Sequence, residues 1–354
     1  MAIRVTWATW DDEPPVGGQG VYSSNLRRAL AAHGLEVRTV AGVGAHAITF
    51  PRITGRSHVD MSIALNRRPG LLLDGRPDVV HLSGGPGGLQ LLRRLPVPVV
   101  FTAHHTYRQA HGALRPERLM AVAESVSYRR ADAVAAVSPT TAEAVRSMGV
   151  DPARVEVIAQ GFDPLVGDPA VAKEPGRLLF VGRLEPEKGP LEAIAVMERV
   201  ARDVPGARGV VVGSGSLEQA VRARAEVSGG VVTYLGRLDT HGLGREYRAA
   251  QLVLVPSAYE GRGIVALEAM AAGAVPVGYD VAGLHDTIGA AGALVGFGDV
   301  DALAAAAVGL LTDTARHQDL VDAGAEVMAA QQTWDRCATQ VEDLYRRVLA
   351  RYRP

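Results

Sequence analysis

At 354 residues and 47% apolar content the chain exceeds the ~250–300 residues that one hydrophobic core usually organises, so two domains are expected. A formal charge of −1 supplies no basic field able to neutralise a nucleic-acid backbone, which excludes nucleic acid as an expected partner. The single cysteine, Cys337, excludes an internal disulfide and a thiolate metal cluster and suits a reducing compartment, with the cytoplasm as the expected address.

Met1 leads directly into a strand-like stretch, Ile3 to Trp7, with no basic flank or long apolar run, so neither a signal peptide nor a membrane span is expected. A helix is predicted from Gly20 to His33, with Leu26, Ala29 and Leu30 on one face and Gly34 as the stop. Short apolar runs follow at Glu36 to Val40, Asp78 to Leu82, Val97 to Ala103 and Ala133 to Val137, a rhythm that predicts a parallel sheet with crossover helices. Segment 52–75 has weak periodicity, scattered arginines and a Leu71 to Leu73 run; it is assigned no element and is a candidate acceptor loop. Gln160 to Pro175 holds Gly161, Pro164, Gly167, Pro169 and Pro175, the composition of a linker. The strand rhythm restarts at Arg177 to Gly182, continues through a helix near Leu191 to Asp203, and resumes at Gly209 to Gly213, Val231 to Leu235, Leu252 to Pro256 and Ala274 to Gly278. Trp334 to Arg351 repeats Val341, Leu344, Tyr345 and Val348 at helical spacing and predicts a closing helix.

Ligand crevices of doubly wound sheets lie outside the carboxyl ends of the strands, so chemistry is sought in the loops that follow them. In Pro256 to Gly263 a strand ends, and a helix begins with Ile264-Val265-Ala266-Leu267-Glu268. Backbone amides from Gly261 to Val265, including those of Arg262, Gly263 and Ile264, then lack intrahelical partners and can receive phosphate or sugar oxygens. Glu260 in the loop can accept from sugar hydroxyls, and Glu268, about two turns along, can hold a ribose diol. For an isolated pair, a capping acid and a solvated helix acid would be the simpler account. The context favours function: Arg183 and Lys188 flank the turn Val181 to Gly189 after another strand, and a fork plus a point charge suits a diphosphate leaving group. Their alternative is ordinary surface pairing with Glu185 and Glu187. Lys188 is conspicuous because the chain has only one other lysine, Lys173.

Gly17, Gly18 and Gly20, between the first strand and helix, allow close backbone approach but do not have the spacing of a dinucleotide fingerprint. Of the neighbours His104 and His105 at the end of a strand, only one should face the crevice, and His104 is chosen. Gly84 to Gly88 is a flexible loop on the same side. Asp299 and Asp301 could hold a divalent cation, but they precede a run of helix formers, and helix capping is the better account. No metal site is expected. Ser138-Pro139 similarly predicts a cap followed by a first-turn proline. Residues 1–165 hold 18 arginines against 14 acids, a surplus that leaves an anionic acceptor or peripheral contact with a membrane surface open.

In family order, GGQGVY, DVVHL, VVFTAHH, ADAVAAVS, VEVIAQGFD, VGRLEPEKG, EGRGIVALEAMAAGAVPV and TWDRCATQVEDLYRRVL make the chain resemble, along essentially its whole length, the retaining glycosyltransferases of family four. The resemblance implies an α/β protein of GT-B architecture, with two Rossmann-like doubly wound domains facing across a cleft. It implies an acceptor domain over residues 1–163, a donor domain over 164–330, and a helix in 331–354 that crosses back to the first domain. It implies that Arg183 and Lys188 neutralise the donor diphosphate, Glu260 holds the transferred sugar and Glu268 binds the nucleotide ribose. Gly17 and Gly18 would approach the phosphates or acceptor, His104 the donor sugar, and Leu235 to Arg237, including Arg237 itself, the base. No cofactor is implied: the nucleotide-diphosphate sugar is a co-substrate, uridine diphosphate the expected carrier, and the acceptor is a small molecule, lipid or saccharide. Three departures leave donor identity open: Arg262 where an aromatic or small residue is common, Gln160 for asparagine, and Ala282 to Asp286 for a double-glycine and glutamate pattern. The rivals are a sugar-nucleotide epimerase of similar architecture and a nucleotide-sugar binder without turnover.

Overall fold

A computed structural model of the chain describes residues 2–13, 18–86, 88–111, 115–164 and 170–352. It forms two compact units, residues 1–162 with 332–354 and residues 163–331. The first runs β1 (Arg4–Thr9), α1 (Gly18–Ala32), β2 (Glu36–Ala41), α2 (Ser57–Arg67), α3 (Gly70–Leu73), β3 (Val79–Gly84), β4 (Val99–Ala103), α4 (Tyr107–His111), α5 (Arg115–Arg130), β5 (Ala133–Ala136), α6 (Pro139–Ser147) and β6 (Val155–Val157). Its six strands are parallel in the order β2-β1-β3-β4-β5-β6, so the chain reverses direction across the sheet between β1 and β3. The second runs β7 (Arg177–Val181), α7 (Pro190–Asp203), β8 (Arg208–Val212), α8 (Glu218–Glu226), β9 (Val232–Gly236), α9 (Thr240–Ala249), β10 (Leu252–Val255), α10 (Ile264–Ala271), β11 (Val275–Tyr279), α11 (Ala282–Ile288), β12 (Ala293–Val295), α12 (Val300–Thr312) and α13 (Thr314–Ala329). Its strands are also all parallel, in the order β12-β11-β10-β7-β8-β9, with the reversal between β10 and β7. In the second unit the central strands carry unbroken apolar runs, Leu178 to Val181 and Leu252 to Val255, because helices cover both faces of a parallel sheet, whereas in the first the buried His81, Ser83 and Thr102 interrupt them.

The predicted strands lie within one or two residues of the observed ones. Segment 52–75 is a correction: it contains α2 and α3, not a loop. Met61, Ala64 and Leu65 are buried on one face of α2, and Leu72 of α3 is buried too. That face is only a few residues long and is followed by Arg67 and Arg68, so its period is faint in the sequence. Asp60 fixes the entry by accepting from Thr54 N and Oγ1, each at 2.8 Å. The three-residue strands β6 and β12 were not predicted, since a run that short carries no period. Ser138 caps α6, accepting from Thr141 N at 3.1 Å with Pro139 in the first turn, as its sequence suggests.

The chain returns to the first unit in α14 (Trp334–Arg351), capped by Thr333, whose side chain accepts from Arg336 N at 3.2 Å. Trp334, Cys337, Val341, Leu344, Tyr345 and Val348 are buried in the core that also holds Trp7, Tyr22, Leu26 and Leu30. The Tyr345 hydroxyl reaches through this core to His81 Nδ1 at 2.6 Å, while His81 Nε2 meets Thr102 Oγ1 at 2.8 Å and the ring stacks on Trp7 at 4.1 Å. Burial pulls the His81 pKa down to about 3, so the ring is neutral and each nitrogen relies on its hydrogen bond rather than on charge. Tyr345→Phe leaves one of these nitrogens unpaired and should cost about 1–3 kcal/mol. Urea unfolding followed by tryptophan fluorescence measures it; an unchanged midpoint would mean that this bond does not hold α14 down.

Candidate active site

In the second unit the loops after β7, β8 and β10 are built against one another. After β7, residues 182–185 lead into a single 3-10 turn, Pro186–Lys188, and Gly189 in the left-handed region (φ 65°) before α7. A side chain at Gly189 would come within 2.4 Å of the Pro256 carbonyl, so glycine is required where this turn meets the end of β10. Ala258 N donates to Glu187 O at 2.8 Å and closes the same seam. On the other flank, Leu184 N donates to Ser214 O at 2.9 Å, and Glu185 accepts from Ser216 N at 3.0 Å and Oγ at 2.6 Å, bonds that hold its pKa below the usual range. Gly213 approaches Gly182 so closely that an added Cβ would lie 1.8 Å from its carbonyl oxygen.

At this seam Lys188 Nζ lies 2.7 Å from Glu260 Oε1, which also accepts from Ser257 Oγ at 2.8 Å. Both charged side chains are largely covered, 20% and 13% exposed, which distinguishes this pair from a surface ion pair. The structure therefore joins two residues 72 positions apart, one from the loop after β7 and one from the loop after β10. Arg183 lies on the same turn but donates to Glu187 at 2.8 Å with its guanidinium half exposed. After Glu260, Gly261 and Arg262 lead to Gly263 in the left-handed region (φ 62°), which starts α10 with the amides of Ile264 and Val265 in the first, intrahelically unpaired turn. The backbone of Glu260 and Gly261 is backed by α11, where a Cβ on Gly283 would come within 2.1 Å of the Glu260 carbonyl. Thr287 on α11 donates to the Arg262 carbonyl, and the Arg262 side chain donates to Gln331.

Glu268 is on α10, where the hydroxyl of buried Tyr247 donates to its Oε2 at 2.5 Å. Burial raises its pKa to about 7, and the Tyr247 bond opposes that rise in part. Leu235 and Arg237 are exposed at the carboxyl end of the edge strand β9. Asp299 caps α12 by accepting from Ala302 N at 2.8 Å, and Asp301 pairs with Arg199 at 2.7 Å, so the tempting aspartate pair serves the helix start.

In the first unit, Gly17 lies outside the described residues, and Gly18 is exposed at the start of α1. Gln19 Nε2 donates to Pro86 O at 3.1 Å, and Gly85 packs on the backbone of His105, so the loops after β1, β3 and β4 converge. His104 is 6% exposed, its Nε2 is 3.0 Å from Ser83 Oγ, and it meets Tyr22 edge-on at 4.7 Å between ring centres. Burial lowers its pKa to about 3, which makes it a neutral hydrogen-bonding group. Sequence reasoning missed Gly213 to Ser216 and Thr287, and read Gly283 only as part of a departure from the family pattern. The glycines of the first stretch after a predicted strand were a usable signal; Thr287 acts through a backbone carbonyl and had none.

Each unit is a parallel-sheet Rossmann-like fold, and cationic and acidic loops gather where the second sheet reverses. Residues 16–164 match Glycosyltransferase Family 4 and residues 165–327 match Glycosyl transferases group 1. The chain is 30% identical to the glycogen synthase of Mycobacterium tuberculosis, covering 97% of this chain and 94% of that protein. It is 33% identical to a D-inositol 3-phosphate glycosyltransferase of Mycolicibacterium paratuberculosis, over 95% and 87% of the two chains. Sucrose-phosphate synthase from Thermosynechococcus elongatus superimposes with a TM-score of 0.77 at 25% identity, over 99% of this chain and 100% of that one. The chain belongs to the group 1, family 4 glycosyltransferases.

Proposed function

We propose that the protein transfers a hexose from a nucleotide-diphosphate sugar, with uridine diphosphate as the carrier, to a small-molecule, lipid or saccharide acceptor, retaining the anomeric configuration and requiring no divalent cation or cofactor. The observation that carries this reading is the covered Lys188–Glu260 pair bridging the loops after β7 and β10. There a cation and a carboxylate stand beside the unpaired amides of a helix start, at the point in the fold where ligands of open α/β sheets bind. The diphosphate sits against Lys188, Arg183 and the amides of Gly263, Ile264 and Val265, while Glu260 and Gly261 take the sugar hydroxyls. Glu268 takes the ribose diol, and Leu235 and Arg237 border the base. Arg262, turned to Gln331, helps to shape the same loop. In the first unit, His104 is a neutral hydrogen-bonding group beside Ser83 and Tyr22. In the transfer the bond between the anomeric carbon and the diphosphate oxygen breaks and a bond to the acceptor oxygen forms on the same face. The acceptor proton passes to the departing phosphate oxygen, so no protein base is needed. Lys188 and Arg183 stabilise the negative charge that develops there.

Support for a small or saccharide acceptor comes from the curated relatives, which are named for glycogen and for inositol phosphate. A thermal-shift screen of nucleotide-diphosphate sugars tests the donor, because a ligand selective for the native state raises its melting temperature by mass action. Incubation without acceptor then tests the reaction: nucleoside diphosphate plus free sugar supports the transferase, an epimerised donor the epimerase, and no turnover the binder. Activity should persist in excess chelator; its loss, with recovery on added manganese or magnesium, would overturn the metal-free diphosphate site.

A further inference from the structure

In the first unit, at the amino ends of β4, β5 and β6 and against the last turns of α14, lies a cavity of about 660 Å³. It is at the opposite end of these strands from the loops described above, and its volume is within the ~300–1,000 Å³ range of small-molecule sites. Its lining holds six arginines, Arg93, Arg94, Arg130, Arg154, Arg347 and Arg351, against three acids, Asp132, Asp151 and Glu156. Each acid is already engaged: Asp132 accepts from Val99 N at 2.8 Å, Asp151 from Ala153 N at 3.0 Å, and Glu156 pairs with Arg347 at 2.5 Å. Arg154 donates to Ala131 O at 3.4 Å and Arg93 to Asn66 O at 3.0 Å. Among the described residues, Arg94, Arg130 and Arg351 have no carboxylate partner. Arg347 and Arg351, from the far end of the chain, join the four arginines of the first half at this place.

The same lining holds the apolar side chains of Leu95, Val97, Val99, Leu344 and Val348. The Tyr352 hydroxyl donates to Leu95 O at 3.1 Å and ties the end of α14 to this wall. The carboxyl end of α14 brings partial negative charge, which Arg347 and Arg351 offset, so the rim stays cationic. Guanidinium forks recognise phosphate-type oxygens by paired hydrogen bonds, and apolar lining favours a ligand with a hydrocarbon portion. We propose that this cavity is a second ligand site, for an amphiphilic anion with its phosphate head on Arg94, Arg130 and Arg351 and its apolar body over Leu95, Val97 and Val348. The site goes beyond the transferase reading and does not depend on it.

Titration calorimetry on the full chain tests it with hexyl phosphate, with inorganic phosphate and hexanol as the separate halves, and with vesicles of phosphatidylcholine containing phosphatidate. Hexyl phosphate should bind at least about tenfold more tightly than either half, and the Arg94→Glu/Arg351→Glu double variant should lose at least about tenfold, the scale of one charge-assisted pair. Arg129→Glu, outside the cavity, should bind as the parent does. Because the changed side chains are exposed, thermal melts should confirm folding in all variants. If vesicles also bind and lose binding in the double variant, the ligand is a lipid headgroup; if only monomeric hexyl phosphate does, it is a free phosphate ester. Binding by vesicles alone, or hexyl phosphate binding that survives the double variant, would overturn the site.

Discussion

Lys188→Ala should lower turnover at saturating donor by about 10²–10³-fold, the loss that follows removal of one preorganised group at a site of developing charge. The geometry makes this specific to Lys188. Its ammonium is held by Glu260 at 2.7 Å in a largely covered seam, whereas the Arg183 guanidinium is 47% exposed and shared with Glu187. Arg183→Ala should therefore lose less. The companion change, Glu260→Gln, keeps the size of the side chain and the Ser257 contact but removes the charge that favours sugar hydroxyls and an electron-deficient anomeric centre. Turnover should fall while affinity for nucleoside diphosphate stays nearly unchanged, the signature of an interaction made in the transition state. Were the pair only structural, breaking it would cost stability and leave the rate intact. Initial rates at saturating donor, with calorimetry of the diphosphate on the same variants, separate the two cases, and an undiminished rate in Lys188→Ala would defeat the assignment.

The two lysines show what sequence could and could not say about this site. Lys188 stood out through rarity and its place after a strand, and it lies where chemistry is expected. Lys173 is as rare but follows no strand: its ammonium donates to Tyr247 O at 3.3 Å and Ala250 O at 2.7 Å, and burial lowers its pKa to about 8, so it stitches the loop before β7 onto the end of α9. Strand positions were legible because buried parallel strands are written largely in apolar residues. The segment holding α2 was not, because its buried face is short and is followed by arginines. Partnerships between loops were the least legible feature. That Glu260 meets Lys188, and that Glu185 is tied to Ser216, depends on β7 lying between β10 and β8, an order that no local pattern encodes. His104 illustrates the converse: its position after a strand was readable, but its burial against Ser83 and Tyr22, and hence its neutrality, was not.

Glu268 should make donor binding pH-dependent. Its carboxyl group has a pKa of about 7 in the free protein because burial penalises the charged form, and Tyr247 occupies only Oε2. Ribose hydroxyls donate best to the charged carboxylate, so binding selects that form and releases a proton wherever the group was protonated. The sign follows: affinity for intact donor should be full well above pH 7 and fall as pH drops through it. Between pH 8 and pH 6 the charged fraction of a group with this pKa falls about tenfold, and apparent affinity should fall with it. Intact donor is the right probe, since its diphosphate carries no proton that titrates in this range. Glu268→Gln should bind donor and nucleoside diphosphate more weakly at pH 8 by a similar factor and should lose the pH dependence. Stability should move in the opposite sense. A carboxyl group whose pKa is raised by folding contributes most at low pH, and that contribution is lost as pH rises through about 7, so the unliganded glutamine variant should gain stability relative to the parent at pH 8 compared with pH 5. Calorimetric titrations in two buffers of different ionisation heat measure the proton release, and thermal melts across the same pH range measure the stability term. A pH-independent affinity in the parent chain, or a pH dependence surviving in Glu268→Gln, would remove Glu268 from the ribose site.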